Sequence, residues 1–176
     1  MSHLKIAATL AALCFAGIAQ AQAAETAERV DDCANPTTEP LASGCALLDK
    51  FMAAFNDADP VTFAATNHYP HIRITGPKTT IWNTAAEYEA SNPREGFVNK
   101  GSETQFKGWV RSAWSSRQLV QYSDTSMHFT VVFDRLDADD KPIATFDSLY
   151  ILTNRDGEWG IQARSSFAGI ANGGAY

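Results

Sequence analysis

Apolar residues recur at helical spacing in the earlier part of the chain and alternate along strands in the later part. The first apolar stripe begins after Ser43, a residue type that caps helix N-termini, and runs to Phe55. Residues 56–60, Asn-Asp-Ala-Asp-Pro, stop this helix and start a short second one. Further helices are predicted over residues 85–90 and 104–115, the latter from the spacing of its apolar side chains. Each of these helices is expected to bury one side.

Strand patterns follow a different period. Residues 71–75 and 79–82 alternate around the turn Gly76-Pro77, which predicts a hairpin. Four longer β-rich runs come later: residues 117–123, 127–137, 142–153 and 158–167. Turn-forming residues separate these runs, and such short connections join antiparallel neighbours. The order of elements therefore predicts an α+β domain, with helices gathered on one face of a curved antiparallel sheet.

Alternation along the last two strands separates inner side chains from outer ones, because successive strand residues point to opposite faces. One face collects the core residues Phe146, Ser148, Tyr150, Leu152, Trp159 and Ile161. The other face carries Asp147, Leu149, Ile151 and Arg164. Asp147 and Arg164 are then an exposed ion pair or part of an interface. A two-fold interface would let Arg164 of one copy meet Asp147 of the other, so we expect a homodimer.

The two ends of the chain lie outside this pattern. Lys5, an apolar run over residues 6–19 and the small residues of Ala21-Gln22-Ala23 form an export signal, which predicts cleavage after Ala23. The apolar run is shorter than the ~20 residues of a membrane span. We therefore expect a periplasmic or secreted product without a membrane anchor. The predicted parts are a signal peptide (1–23), a flexible leader (24–42), the domain (43–168) and a flexible tail (169–176).

Composition and charge exclude some functions. The formal net charge is −6, and the Lys and Arg residues are scattered, so the chain lacks the basic surface that nucleic-acid binding needs. Cys33 and Cys45 remain after the signal, and in an oxidising compartment such a pair is expected to form a disulfide. No His or second Cys pair lies near them in the sequence, so a thiolate metal site is not expected. No phosphate-binding glycine loop is present, and we expect no cofactor.

Two segments resemble the NTF2-like (SnoaL-like) superfamily. One is the end of the first helix, Phe55 with residues 56–60; the other is the closing hairpin, residues 150–161 with residues 164–167. The resemblance covers residues 45–168 and implies a cone, in which helices lie on the concave face of the sheet and a ligand or substrate lies inside. The superfamily contains enzymes, binding modules and partner-recruiting proteins, and its members often dimerise through the outer sheet surface. The resemblance therefore implies a fold without choosing an activity.

The steroid isomerases of this superfamily provide one test of activity. Their carboxylate base would fall at Ile74 or Thr75, neither of which can take a proton from carbon. Their tyrosine would fall near Phe51 and their second acid at Asp147, which alternation points away from the core. Isomerase chemistry of that kind is not expected.

The remaining polar candidates are His68, His71, His128, Arg73 and Arg164. His68 and His71 have a spacing known from metal sites, but Pro70 breaks the helix that would align their rings and zinc needs further ligands. No metal site is therefore expected. His71 begins a strand at the predicted mouth of the cone. It is either an acid–base group or a histidine bonded to a backbone carbonyl at a turn.

Two functions remain open. In the first, a cone pocket holds a small apolar molecule, in a binding or accessory module; the pocket residues would be Phe51, Trp82, Trp109 and Trp114. In the second, His71 or His68 is the acid–base group of a small-molecule enzyme of isomerase, hydrolase or dehydratase type. The four aromatic residues equally fit a filled core. An open cavity without a histidine beside a carboxylate would favour binding over catalysis.

Overall fold

The computed structural model describes residues 29–98 and 106–166. Its helices are α1 (Glu39–Asn56), α2 (Pro60–Ala65), α3 (Ala85–Ser91) and α4 (Arg94–Val98). Its strands are β1 (Asn67–Thr75), β2 (Lys78–Trp82), β3 (Arg111–Ser123), β4 (Ser126–Leu136), β5 (Pro142–Arg155) and β6 (Glu158–Ser166). The predicted signal peptide and the predicted C-terminal tail lie outside the described residues. Within those residues, no helix has the length and apolar character needed to cross a membrane.

All six strands lie in one curved, open sheet in the order β2-β1-β6-β5-β4-β3. Strands β3 to β6 pair antiparallel in succession, which confirms the predicted meander. Strands β1 and β2 form the predicted hairpin, and β1 joins the meander by lying parallel to β6. We call the face that packs against α1 the inner face and the opposite one the outer face. The predicted α+β fold is confirmed.

Helix α1 begins earlier than its apolar stripe suggests. Thr38 is the N-cap and Pro40 occupies the first turn. A proline costs nothing there, because the N–H groups of the first turn have no partner inside the helix. The same proline favours a loop when the sequence is considered alone. The structure therefore replaces Ser43 as the predicted N-cap and extends the helix into the predicted leader.

Other residues of the predicted leader bind to the sheet. The Arg117 guanidinium of β3 donates to both carboxylate oxygens of Asp31, at 3.0 and 3.1 Å, and to Asp49 of α1 at 2.5 Å. The backbone N–H of Leu119 donates to the Asp32 carboxylate at 2.8 Å. The segment around Asp31 and Asp32 is therefore fixed to β3 rather than free.

The predicted disulfide is confirmed. Cys33 and Cys45 are joined, with their Cα atoms 5.4 Å apart. Because Cys45 lies in α1, the bond ties the segment before the helix to the helix itself.

The helix predicted over residues 104–115 is wrong in its described part. Strand β3 begins at Arg111, so Trp114 lies in a strand and pairs with Phe133 of β4. The pairing shifts register between Trp114 and Ser116, and a second shift follows farther along the strand. Each irregularity interrupts the alternation of inner and outer residues. The helical spacing itself arises because Phe106 and Trp109 precede the strand while Trp114 belongs to it, so the pattern joins side chains of two different segments.

Alternation along β5 holds as predicted. The even-numbered residues within 146–152 are buried, while Asp147 and Leu149 are exposed. The inner face packs directly on the first turns of α1, where a Cβ added to Gly44 would lie only 2.8 Å from Cε of Met127. Helix and sheet thus approach too closely at this point for a side chain. Farther along α1 a cavity separates them.

An extra residue in β6 reverses the prediction for Arg164. The pairing of β5 with β6 shifts register at Gln162, which the ladder skips. A bulge of this kind moves the following residues to the opposite face. Arg164 therefore pairs with Tyr150 and is buried on the inner face. The predicted outer-face pair of Arg164 with Asp147 is wrong, because only Asp147 lies on that face.

Candidate functional site

A partly open cavity of about 230 Å³ lies between the helices and the inner face of the sheet. Its wall is built from α1, α2, β1 and the four strands of the meander, together with the connection that precedes β3. The tight packing of α1 on the sheet at Gly44 does not continue along the helix. The second half of α1 therefore stands away from the curved sheet and encloses the space.

Most of the apolar wall is aromatic. The described rings that line it are Phe51, Phe55, Phe63, Trp109, Phe133 and Tyr150. The ring centroids of Phe51 and Phe63 lie 4.5 Å apart, and Phe55 stacks on Trp109 at 5.6 Å. Rings fixed by such contacts offer flat apolar surfaces. The wall is therefore suited to a flat apolar molecule.

Three arginines enter the same space from the sheet: Arg73 of β1, Arg135 of β4 and Arg164 of β6. Arg73 and Arg164 are direct partners in the parallel ladder between β1 and β6, and like charges in such positions repel. The lining residues within the described ranges include no Asp, Glu or His. The described wall therefore carries only positive charge, in a chain whose net charge is −6.

Arg164 is held from two directions. Its Nη2 donates to the hydroxyl of Tyr88 at 2.7 Å, and its guanidinium carbon lies 5.0 Å from the centroid of the Phe51 ring. Its Nε is buried without a hydrogen-bond partner among the described residues. The bulge at Gln162 is what directs this side chain inward.

Arg135 contacts two rings that are nearly perpendicular to each other, with an angle of 78° between their planes. Its guanidinium carbon is 3.9 Å from the ring centroids of both Phe106 and Trp109, and the residue is only 8% exposed. Burial, and then the charge of Arg73, lower the pKa of Arg135 to about 10, so the side chain stays protonated at neutral pH. These contacts attract the charge of the guanidinium but supply no oxygen or nitrogen acceptor for its N–H donors. Its Nε finds no hydrogen-bond acceptor in the part of the chain that the structure describes.

Only two of the four aromatic residues predicted to line a pocket do so. Phe51 and Trp109 belong to the cavity wall. Trp82 instead stacks on His71, with ring centroids 5.8 Å apart, and Trp114 packs edge-on against Tyr150 at 5.9 Å. Both of these tryptophans pack beside the cavity rather than line it.

Neither candidate histidine reaches the cavity wall. His71 is wholly buried rather than at a mouth, and its Nδ1 lies 2.9 Å from the carbonyl oxygen of Ile161. Burial, and then the charge of Arg164, lower the pKa of His71 to about 3, so its ring is neutral. His68 is half-buried, with Nδ1 2.8 Å from Oγ1 of Thr153. Across residues 29–98 and 106–166, no three His, Cys, Asp or Glu side chains form a group that could hold a metal ion.

The other residues predicted for an interface lie on the outer face of the sheet, on the side opposite the cavity. Asp147 and Leu149 are exposed on the outer face, and Ile151 is half-buried there. A homodimer through this face stays a prediction, and Arg164 has no place in it.

Sequence reasoning did not identify Arg135. The signal for it was present, because Arg135 continues the alternation of Phe129, Val131 and Phe133 along the inner face of β4. An arginine at a position where the pattern requires an apolar residue marks a cavity or a buried contact. Arg73 and Arg164 were candidates, but their juxtaposition depends on the pairing of β1 with β6.

Comparisons with known proteins agree on the fold. A family model described as NTF2-like protein (DUF6841) matches residues 45–166, which confirms the resemblance inferred from the sequence. A search of curated protein sequences found no match.

Three solved structures are similar at low sequence identity. An NTF2-like protein of unknown function from Shewanella oneidensis MR-1 is 16% identical, with 72% of this chain and 98% of that chain covered and a TM-score of 0.53. A ketosteroid isomerase-like protein from Erwinia carotovora atroseptica is 18% identical, with 73% and 95% covered and a TM-score of 0.52. A scytalone dehydratase-like protein from Novosphingobium aromaticivorans is 15% identical, with 72% and 82% covered and a TM-score of 0.50. At these identities the similarity establishes the fold alone.

Proposed function

The chain belongs to the NTF2-like protein family DUF6841, and we propose that its cavity binds a small organic molecule with a flat apolar body. The observation that carries this proposal is the partly open, aromatic-lined cavity of about 230 Å³. A cavity of ~150 Å³ holds benzene, and pockets for drug-sized ligands begin near ~300 Å³. A molecule with one or two rings therefore fits this volume.

The wall favours binding over acid–base catalysis. A general acid or base works best when its pKa lies near the pH of the reaction, and histidine and carboxylate side chains supply most such groups. The lining residues within the described ranges include neither, and the pKa values of Arg73 and Arg135 lie at about 10. His71, the strongest candidate base in the sequence, is buried behind the wall with its pKa lowered to about 3.

The similar structures do not change this preference. One is named ketosteroid isomerase-like and another scytalone dehydratase-like, but proteins that share a fold often differ in activity. An enzyme of isomerase, hydrolase or dehydratase type would need acid–base groups in the cavity. The binding proposal needs only the space and the rings.

Native mass spectrometry tests the proposal on the mature protein purified from its own host. We expect a mass increment of a small molecule that persists under native conditions and disappears after denaturation. Titration with trans-cinnamamide, a neutral flat molecule with one ring, provides a second measurement. Absence of both the increment and cinnamamide binding would contradict the proposal.

A cavity-filling variant locates the binding. Met52 of α1 lines the cavity and is 8% exposed, so Met52→Trp places a ring in the space and should abolish cinnamamide binding. Val61 of α2 is 61% exposed, so Val61→Trp adds the same ring outside the cavity and should leave binding unchanged. Near-UV circular dichroism of both variants confirms that the fold is retained. Equal loss of binding in both variants would place the ligand elsewhere.

A further inference from the structure

We infer that the molecule bound in the cavity carries a carboxylate, and that Arg135 and Arg164 bind it. This inference rests on the proposed function, because it names the chemical class of the same ligand. The ligand is then a small aromatic organic acid, with its ring among the aromatic side chains and its acid group at the arginines.

The distribution of charge is the first argument. The chain carries more acidic than basic residues, with a net charge of −6. Its ion pairs between described residues use Arg111, Arg117 and Lys141. Arg135 and Arg164 take part in none of these pairs. Positive charge is thus concentrated in an aromatic-lined space, while the paired carboxylates lie elsewhere.

The geometry of Arg135 is the second argument. The guanidinium carbon lies 3.9 Å from the ring centroids of both Phe106 and Trp109, and the residue is only 8% exposed, so little water reaches the charged group. Its Nε is buried without a hydrogen-bond acceptor among the described residues, and the N–H groups of a guanidinium donate within its own plane. A buried donor without an acceptor costs free energy, and a carboxylate is the planar acceptor that matches a guanidinium edge with two parallel hydrogen bonds.

The surroundings of Arg164 are the third argument. The hydroxyl of Tyr88 accepts a hydrogen bond from Nη2 of Arg164. The Nε of Arg164 is buried without an acceptor among the described residues. Arg73 lies beside Arg164 in the ladder of β1 and β6. A carboxylate placed beside Arg164 would give its buried Nε an acceptor and its charge a partner.

The aromatic wall selects a carboxylate on a flat body rather than a phosphate. A space of about 230 Å³ that is lined mainly by rings leaves little room for both a ring and a tetrahedral, strongly hydrated group. A carboxylate conjugated to a ring is planar throughout and fits between the same walls. trans-Cinnamate is a suitable probe, and trans-cinnamamide is its neutral counterpart of nearly equal shape.

Isothermal titration calorimetry on the mature wild-type protein compares the two probes. We expect cinnamate to bind about tenfold more tightly than cinnamamide, or better, as charge-assisted hydrogen bonds require. Equal affinities for acid and amide would overturn the inference and leave the proposed function standing. Failure of both probes to bind would overturn the inference, and the proposed function would then depend on the mass increment measured on protein from its own host. Tighter binding of phenyl phosphate than of cinnamate would overturn the assignment of a carboxylate.

Variants then assign the residues. Arg135→Gln and Arg164→Gln should each weaken cinnamate binding by about tenfold or more, while cinnamamide binding changes less than about threefold. Arg111→Gln is the matched control, because the Arg111 side chain is 44% exposed and pairs with Asp140 outside the cavity. Unchanged cinnamate affinity in both cavity variants would overturn the assignment. The acid–amide comparison uses only the wild type, so it remains decisive if a variant does not fold.

Discussion

The hydroxyl of Tyr88 accepts a hydrogen bond of 2.7 Å from Nη2 of Arg164, at a place where the tyrosine is completely buried. The contact joins helix α3 to the C-terminal part of β6 on the inner face of the sheet, behind the aromatic wall of the cavity. Burial raises the pKa of Tyr88, so the hydroxyl stays neutral and the interaction is a hydrogen bond rather than an ion pair. The orientation of a cavity arginine thus depends on a residue of another element.

Removing this hydroxyl should destabilise the protein. In Tyr88→Phe, a buried N–H group of Arg164 loses its acceptor, and the free energy of unfolding is expected to fall by about 1–3 kcal/mol. Urea denaturation followed by circular dichroism measures the change. Tyr122 is 48% exposed, so Tyr122→Phe is the control and should have almost no effect. A loss of stability no greater than that of Tyr122→Phe would show that the hydrogen bond between Tyr88 and Arg164 does not stabilise the fold.

His71 should make stability depend on pH. Its folded-state pKa of about 3 lies below the ordinary histidine value of 6.5. Between these values the unfolded chain binds a proton that the folded protein excludes, so stability falls as the pH is lowered. The neutral His71 ring lowers the free energy of unfolding by nothing above pH 6.5. Between pH 7 and pH 5, exclusion of the proton from the folded state lowers the free energy of unfolding by about 2 kcal/mol. Urea denaturation at both pH values should show a smaller fall for His71→Phe, and an identical fall would contradict this assignment.

Removing the disulfide should cost stability as well. The bond between Cys33 and Cys45 spans a sequence separation of 12 residues, and closing such a loop stabilises by about 3 kcal/mol in the chain-entropy model. The double variant Cys33→Ser/Cys45→Ser should lose about this amount, and reduction of the wild type should have the same effect. Thiol titration of the denatured, unreduced mature protein should find no free thiol. Two free thiols would refute the bond.

The outer face is expected to form a homodimer. Leu149 and Ile143 are each 37% exposed there, and Ile151 is half-buried beside Asp147. Apolar side chains on neighbouring strands often mark interaction sites. Light scattering at micromolar concentration should report a dimer, and Ile151→Glu should convert it to a monomer. A monomeric wild type would end this proposal.

Export is expected from residues 1–23. Lys5, the apolar run and Ala21-Gln22-Ala23 together predict a cleavable signal. N-terminal sequencing of the protein isolated from its host should therefore begin near Ala24. Deleting residues 1–23 should leave the protein in the cytoplasm. An isolated protein that still begins at Met1 would contradict the prediction.

Local chemistry was enough to predict much of the fold. Asp156 and Gly157 both have positive φ, 55° and 91°, as the tight turn of a hairpin requires, and this dipeptide alone predicts the turn between β5 and β6. The alternation along β5 predicts its buried face without reference to any other strand. Cys33 and Cys45 likewise predict their own bond. Each of these features depends on residues close together in the sequence.

The cavity chemistry depends on pairing between distant strands. Whether Arg164 points inward is decided by the bulge at Gln162, and a shift of one residue in a strand exchanges its two faces. Arg73 meets Arg164 only because β1 lies parallel to β6. Arg135 contacts Phe106 and Trp109 only once the chain has folded back over β4. The sequence by itself determined the fold class, the turns and the disulfide, because their causes are local. The tertiary structure decided which charged side chains share the cavity, because strand register is set by hydrogen bonds between segments far apart in the chain.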